Sequence, residues 1–459
     1  MKTNYDAIII GTGQAGPFLA ARLARADLRV AVIERHLFGG TCVNVGCTPT
    51  KTLVASARVA YMVRRAADFG VQIDGSMRVD MQKILDRKND IVGRANHEVP
   101  GWMQKTPNLD VYKGHARFTG PHTIRVGEDL LEAEKIFVNV GARAFVPAIS
   151  GLDEVDYLTS SGILDLDAVP EHLVIIGGSY IGLEFGQIFR RFGSEVTIVE
   201  MGPRLIRRDD EDVSQAVKEI LENEGINIRL NAECISVAKD GKGLAVKVDC
   251  TAGAPEVRGS HLLLAVGRRP NTDDLGLDKA AISLDKHGYI EVDDELRAGT
   301  PGIWALGDCN GKGAFTHTAY NDYEIVAANL LDNDSRKVSD RILAYGLFID
   351  PPLGRVGMTE AQVRTSGRKA LIGKRPMTRV ARAREKGETQ GFMKVLVDAE
   401  TNQILGAAVL GVGGDEVIHS ILNIMNAKKP YTAIQRAVPI HPTVSELIPT
   451  MLGELRPLE

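Results

Sequence analysis

The chain has 459 residues, a net charge of −4 with both signs dispersed, and five cysteines. The length predicts about three domains, and the charge pattern excludes a broad basic face for nucleic acid or an anionic membrane. A disulfide scaffold is excluded by the cysteine count, and no apolar run reaches the roughly eighteen residues of a membrane span. The first apolar run, residues 7–10, ends at glycine and reads as a strand rather than a signal-peptide core, so a reducing, cytoplasmic setting is expected.

Residues 8–10 read as a buried parallel strand. Gly11-Thr12-Gly13-Gln14-Ala15-Gly16 follows, then an alanine-rich helix over 17–26 and a strand over 30–33 that ends at Glu34. This order is the dinucleotide fingerprint. Its glycines let a pyrophosphate approach a helix N-terminus, and its acid meets a ribose hydroxyl. Pro17 sits in the first helical turn, where its missing N–H costs little.

The next stretch runs from Gly39 to Lys51 and contains Cys42 and Cys47, separated by four residues. Its position after a dinucleotide fingerprint reads as a redox-active pair beside a flavin, since a labile disulfide in a reducing compartment is usually catalytic. A metal site would require a second Cys or His pair at ligand spacing, and none is near in sequence. On the residues alone, two inert buried thiols remain an alternative. A helix over 53–65 continues this segment, with Thr48 as its cap and Pro49 at its first position. Residues 80–99 have helical periodicity, and 111–140 are strand-rich, ending at Gly141.

The fingerprint recurs. Residues 174–176 lead into Gly177-Gly178-Ser179-Tyr180-Ile181-Gly182, and a strand over 196–199 ends at Glu200. The first glycine and the acid lie 23 positions apart in both copies, Gly11 to Glu34 and Gly177 to Glu200. Two such units imply two nucleotides, although Ser179 replaces the middle glycine of the second. A strand over 262–266 ends at Gly267, and another over 302–306 delivers Asp308 at its carboxyl end, where open α/β sheets bind ligands. Beyond residue 340 a separate α+β module is expected. It has a hairpin of 392–397 and 404–409 about the turn 399–402, a helix over 415–427, and a final segment carrying His441 and Glu446. Cys234 and Cys250 read as inert thiols, Cys309 and His317 as residues that structure explains or that lie near the cofactor, and Arg207-Arg208-Asp209-Asp210 as a solvated face.

With these pieces in place, the chain resembles, essentially end to end, the FAD-dependent pyridine-nucleotide-disulfide oxidoreductases, the family of glutathione reductase, dihydrolipoamide dehydrogenase and mercuric reductase. The most specific matches are Gly40-Thr41-Cys42 through Cys47 with Pro49 and Lys51, the two fingerprints, Gly307-Asp308, and His441 through Glu446. The resemblance implies an α/β fold of two Rossmann-like domains and a C-terminal α+β dimerisation domain. Expected boundaries are 1–148 and 271–340 for the FAD-binding and central parts, 149–270 for the NAD(P) domain and 341–459 for dimerisation. It implies that FAD uses Gly11, Gly13, Gly16, Glu34, Gly40, Thr41, Lys51, Gly141 and Asp308, and that nicotinamide uses Gly177, Tyr180, Gly182, Glu200 and Gly267.

By the same resemblance Cys42 is the interchange thiol and Cys47 the thiol against the flavin, with Lys51 and Glu184 near the flavin's reacting nitrogen. Tyr180 matches the tyrosine that in some members lies over the flavin until nicotinamide displaces it, and the His441/Glu446 dyad comes from the partner of a homodimer. The residue types suit this chemistry. A thiolate is the nucleophile, an imidazole takes and returns its proton, and an acid orients the imidazole. Glu200 favours NADH, with NADPH possible because Arg204, Arg207 and Arg208 are close in sequence.

The expected activity carries two electrons from nicotinamide through flavin and Cys42/Cys47 to a small oxidant, oxidised thiol or metal ion. Dihydrolipoamide dehydrogenase, mercuric reductase and a non-catalytic flavin-binding protein are the alternatives. The tail, 451–459, lacks the vicinal cysteines typical of mercuric reductases, and His441 stands where they typically have tyrosine. Phe315-Thr316-His317, Asn321-Asp322-Tyr323 and the stretch 350–358 look closest to a bacterial mercuric-reductase-like subgroup, some of whose members protect against reactive chlorine or hypothiocyanous acid or reduce copper(II).

Overall fold

A computed structural model describes residues 2–250 and 253–459, apart from the side chains of Ile235 and Cys250. The reading of Cys250 as inert therefore lies outside the described residues. The chain groups into two units: residues 1–52, 82–145 and 267–341, and residues 53–81, 146–266 and 342–459.

In the first unit, apolar strands buried on both faces form a parallel core. The order is Leu109–Lys113, Val30–Glu34, Lys2–Ile10, Asp129–Val138, with Ile303–Ala305 also paired to Asp129–Val138 and two antiparallel strands beyond. Ile8 lies opposite both Ala31 and Ile136, and its side chain is fully buried. The helix Gly16–Ala24 packs on this sheet and stops short of residue 26. The chain turns there, with Asp27 in the left-handed region at φ 61°.

The cysteine segment differs from expectation. A short helix, Gly40–Val45, carries Cys42; Gly46 breaks it, and a new helix, Cys47–Arg64, begins at Cys47 itself. Thr48 therefore lies inside the first turn and caps nothing; its carbonyl accepts the Thr52 hydroxyl at 2.8 Å. Pro49 still occupies the first turn, the one stretch of helix that does not need its N–H. The helix Met81–Gln104 is longer than the periodicity of 80–99 indicates and contains Pro100.

In the second unit a parallel sheet repeats the order of the first: Asn227–Arg229, Glu195–Val199, His172–Ile176, His261–Leu264. A three-stranded antiparallel sheet spans 232–259, and the C-terminal module is a six-stranded antiparallel sheet. Its central hairpin, Phe392–Asp398 with Ile404–Leu410, turns where the sequence places it, and Asp398 accepts the N–H groups of Glu400 and Thr401. The helix Gly414–Asn426 covers the sheet, burying Val417, Ile418 and Ile421.

Candidate active site

Each glycine loop leaves the carboxyl end of a central strand, where the strand order reverses and a cleft opens. Gly11 has φ 103°, and a Cβ there would stand 2.3 Å from the Asn139 carbonyl oxygen; on Gly16 it would stand 2.3 Å from the Gly11 carbonyl. Gly177 (φ 115°) and Gly182 repeat this, at 2.4 Å from Ala265 O and 2.2 Å from Gly177 O. Glycine is thus required by backbone approach in both copies.

The two acids repeat each other as well. Glu34 accepts the N–H and hydroxyl of Thr12 (3.0 and 2.6 Å) and the N–H of His36 (2.8 Å). Glu200 accepts the N–H groups of Gly178 (2.8 Å) and Gly202 (2.7 Å). In both, the donors are the residue after the first glycine and the residue two past the acid. These cradles, built of glycine turns at a helix N-terminus and a held carboxylate, fit the pyrophosphate and ribose of dinucleotides.

Asn139 escaped the sequence reading. Its Oδ1 accepts the Gly16 N–H at 3.0 Å and its Nδ2 donates to Leu306 O at 2.9 Å, which ties the first loop to the strand that delivers Asp308. A buried polar side chain at the end of an apolar strand was the available signal. Asp322 was also missed. It accepts the Gly307 N–H at 2.8 Å and Asn310 Nδ2 at 3.0 Å, and it pairs with Arg341. The Asp308 turn is thereby fixed, with Asp308 3.1 Å from Arg268. Burial pushes the Asp308 carboxyl up despite that cation. Gly141 (φ 65°) and Gly267 (φ 134°) open the paired segments Ala142–Ala144 and Arg268–Pro270.

The cysteine segment lies against the first loop, since a Cβ on Gly40 would stand 2.8 Å from the Gly13 Cα. Thr41 and Cys42 are half-buried on the short helix. The thiols of Cys42 and Cys47 interact with each other, and Cys47 Sγ lies 3.3 Å from the Thr316 hydroxyl. The bond to Cys47, and then burial, push the Cys42 thiol well above its ordinary range. Lys51 follows Cys47 by four residues on one helix, and so shares its face. His317 stacks on Phe315 at 5.5 Å. Cys309 is fully buried, donates to backbone carbonyls and is pushed up to about 12 by burial, which fits a structural thiol. Cys234 is pushed up to about 11 for the same reason.

In the second unit Tyr180 and Glu184 lie one turn apart on the helix Tyr180–Phe192. The buried Glu184 carboxylate accepts the Phe348 N–H at 3.0 Å. The Tyr180 ring meets Tyr345 edge-on at 5.7 Å, and both hydroxyls donate to Asp209, at 3.4 and 3.1 Å. Arg207 and Arg208 are exposed, but Asp209 and Asp210 are not the solvated face expected of them. Both are buried, and Asp210 pairs with Arg355 and Lys394 at 2.6 and 2.8 Å. The cations that bury these acids lie far along the chain, beyond any local pattern. Asp210, Asp212 and Glu360 lie close enough together to share a metal ion, but all three bond the Lys394 ammonium. In the C-terminal module, Glu446 Oε2 lies 2.8 Å from His441 Nδ1, and the imidazole is 76% exposed.

Residues 5–322 match the pyridine nucleotide-disulphide oxidoreductase family, and residues 343–452 match that family's dimerisation domain. The chain is 37% identical over 451 residues to the probable pyridine nucleotide-disulfide oxidoreductase RclA of Escherichia coli (strain K12), covering 96% of this chain and 97% of that one. It is 35% identical over 423 residues to the mercuric reductase of Streptomyces lividans, covering 91% and 89%. The solved Cu(II) complex of the HOCl-induced flavoprotein disulfide reductase RclA from Escherichia coli superposes with a TM-score of 0.89 at 36% identity, covering 97% and 99%. The chain is therefore a member of the pyridine nucleotide-disulphide oxidoreductase family, an enzyme of FAD and a nicotinamide nucleotide that carries the family's dimerisation domain.

Proposed function

We propose that this enzyme relays two electrons from NADH through FAD to Cys42 and Cys47, and from Cys42 to a small oxidant, an oxidised thiol or a metal ion. The carrying observation is the thiol pair itself, set on either side of the break between two helices and pressed by Gly40 against the flavin-type loop. When bound, FAD supplies the exchange between hydride and thiol chemistry. The protein's part is to hold the two sulfurs within reach of each other and to manage one proton. Cys42 gives up its proton reluctantly while it bonds Cys47, so a base must take it. His441, held by Glu446 and open to an approaching subunit, has the required chemistry. Exposed Val438 and Ile440 beside it support a homodimer in which each subunit presents this segment to the other's thiols. A cytoplasmic location accords with the thiol chemistry; among the described residues no helix is long and apolar enough to cross a membrane.

The preference for NADH rests on Glu200, whose held carboxylate repels a 2′-phosphate. The acceptor class rests on the likeness to RclA, described as HOCl-induced and solved with Cu(II). Anaerobic titration with NADH should reduce the flavin and give a thiolate-flavin charge-transfer band; Cys47→Ser should abolish the band, and its survival would refute the role of Cys47. Mixing Cys42→Ser with His441→Ala chains should restore activity through heterodimers, whereas an inactive mixture of proven heterodimers counts against a shared site. Rates with hypothiocyanous acid, Cu(II), Hg(II), glutathione disulfide and lipoamide identify the acceptor. Dominant lipoamide turnover makes the enzyme a dihydrolipoamide dehydrogenase, and a higher kcat/KM with NADPH overturns the nucleotide assignment.

A further inference from the structure

A cavity of about 640 Å³ lies in the second unit, at the far end of the helix Tyr180–Phe192 from its glycine loop. Ten residues separate Tyr180 from Arg190, about 15 Å along the helix at 1.5 Å per residue, so the cavity is remote from the nicotinamide loop. Five arginines line it, at positions 58, 64, 65, 190 and 191, against three carboxylates, Glu224, Asp350 and Glu388. Those carboxylates are engaged by only two of the arginines. Arg191 holds Glu224 with two bonds (2.8 and 2.7 Å) and Asp350 with one (2.6 Å). Arg58 holds Asp350 (2.8 and 2.6 Å) and Glu388. Arg65 turns to Asp68, outside the lining.

Two guanidiniums are left over. Arg190 donates only to the carbonyl oxygens of Glu224 and Ser194, at 2.7 and 3.2 Å. Arg64 makes no hydrogen bond or ion pair among the described residues. Each stands in the last turn of its helix, where the dipole favours a cation. Partial burial of the guanidinium, and then the charges of Arg190 and Arg191, hold Arg64 below its ordinary range against the opposing pull of Glu224. Arg64 and Arg190 thus both line the cavity with no carboxylate bonded to either guanidinium. Guanidinium forks bind phosphate in pairs, and a cavity of this size lies within the usual range of about 300–1,000 Å³ for small-molecule sites. Thr389, Gln390 and Asn223 add neutral polar side chains to its wall.

We propose that this cavity is a second ligand site, separate from the electron path, that takes a small phosphate-bearing polyanion between Arg64 and Arg190.

The test is calorimetric titration of the FAD-bound enzyme with inorganic pyrophosphate, in saturating NAD⁺ so that the nicotinamide loop is filled. One pyrophosphate should bind per chain. Arg64→Gln and Arg190→Gln should each weaken binding about tenfold, a loss of 1.4 kcal/mol, while Arg207→Gln, an exposed arginine outside the cavity, should leave it unchanged. Arg64 is exposed, so its variant should melt as the wild type does; a variant that does not is replaced by Arg64→Lys, which should weaken binding less than Arg64→Gln because it keeps the charge. ADP and citrate in place of pyrophosphate separate a nucleotide from a phosphate and from a plain carboxylate ligand. Absence of binding, equal weakening by Arg207→Gln, tighter binding of citrate, or binding indifferent to Arg64 overturns the proposal.

Discussion

The two dinucleotide units are built on one plan but are tightened by different means. Both place a glycine loop at the end of a central strand and hold it with an acid that accepts two loop amides. In the first unit a neutral buried side chain, Asn139, also stitches the loop to the strand ahead of Asp308. The corresponding residue of the second unit, two before Gly267, is Ala265, which offers only its backbone. There the helix after the loop is secured instead at its far end, by the ion pairs of Arg191 with Glu224 and Asp350. The stitch leaves the first loop few other arrangements, as suits a cofactor that stays bound. The second loop, held by Glu200 but without such a stitch, suits one that enters and leaves at every turnover.

The largest expected effect comes from the glycines. Gly11→Ala forces a Cβ into the Asn139 carbonyl at a positive φ; it should cost about 3 kcal/mol or more and yield protein without flavin. The urea midpoint and the flavin-to-protein absorbance ratio measure both. Gly177→Ala meets the same clash but should retain flavin and raise KM for NADH about tenfold or more, 1.4 kcal/mol per decade. Loss of flavin from both variants would erase the distinction between the units.

Next in size is the stitch itself. Asn139→Ala removes one hydrogen bond each from the Gly16 N–H, which keeps Gly13 O at 3.1 Å, and from the Leu306 carbonyl, which keeps the Cys309 thiol at 3.3 Å, and should cost about 1 kcal/mol with faster flavin release. Ser179→Gly in the second loop removes a side chain that makes no capping bond, so stability should change by about 0.5 kcal/mol or less while KM for NADH falls. An Asn139→Ala enzyme as stable and as flavin-tight as the wild type would show that the stitch is idle.

The smallest effect concerns pH, because a neutral amide and an ion pair respond differently to acid. Burial alone would raise the Asp350 carboxyl, but Arg191 and Arg58 outweigh it and hold it below the usual range. A depressed folded value contributes stability that is complete above the unfolded carboxylate range, near 4, and is lost as pH falls through the folded value. Hydrogen exchange, corrected for its intrinsic pH dependence, should show protection of Tyr180–Phe192 falling below about pH 4 ahead of that of Gly16–Ala24. Equal losses in the two helices would contradict the assignment of ion pairs to one and a neutral stitch to the other.

How far the sequence reaches can be judged residue by residue. Gly11, Gly16, Gly177 and Gly182 are legible because their constraint is local: a turn at positive φ, or contact within six residues. Glu34 and Glu200 are legible because their spacing from the glycine is fixed by one helix and one strand. The turn 399–402 is legible for the same reason. The start of the second cysteine helix at Cys47 was misplaced because Thr48-Pro49 carries a cap signal that is satisfied equally well inside a first turn. Asp209 and Asp210 read as solvated because their partners, Tyr345, Arg355 and Lys394, follow only after more than a hundred residues.

What the sequence determined by itself is the repeated plan, two cofactor loops with a cysteine pair between them, since each part is written in short-range backbone constraints. Tertiary structure decided which buried groups tighten each loop, that three acids enclose an ammonium, and that Arg64 and Arg190 line a cavity whose carboxylates are bonded by other arginines. Those outcomes depend on which distant side chains share a low-dielectric space, and charge pairing there is set by proximity after folding.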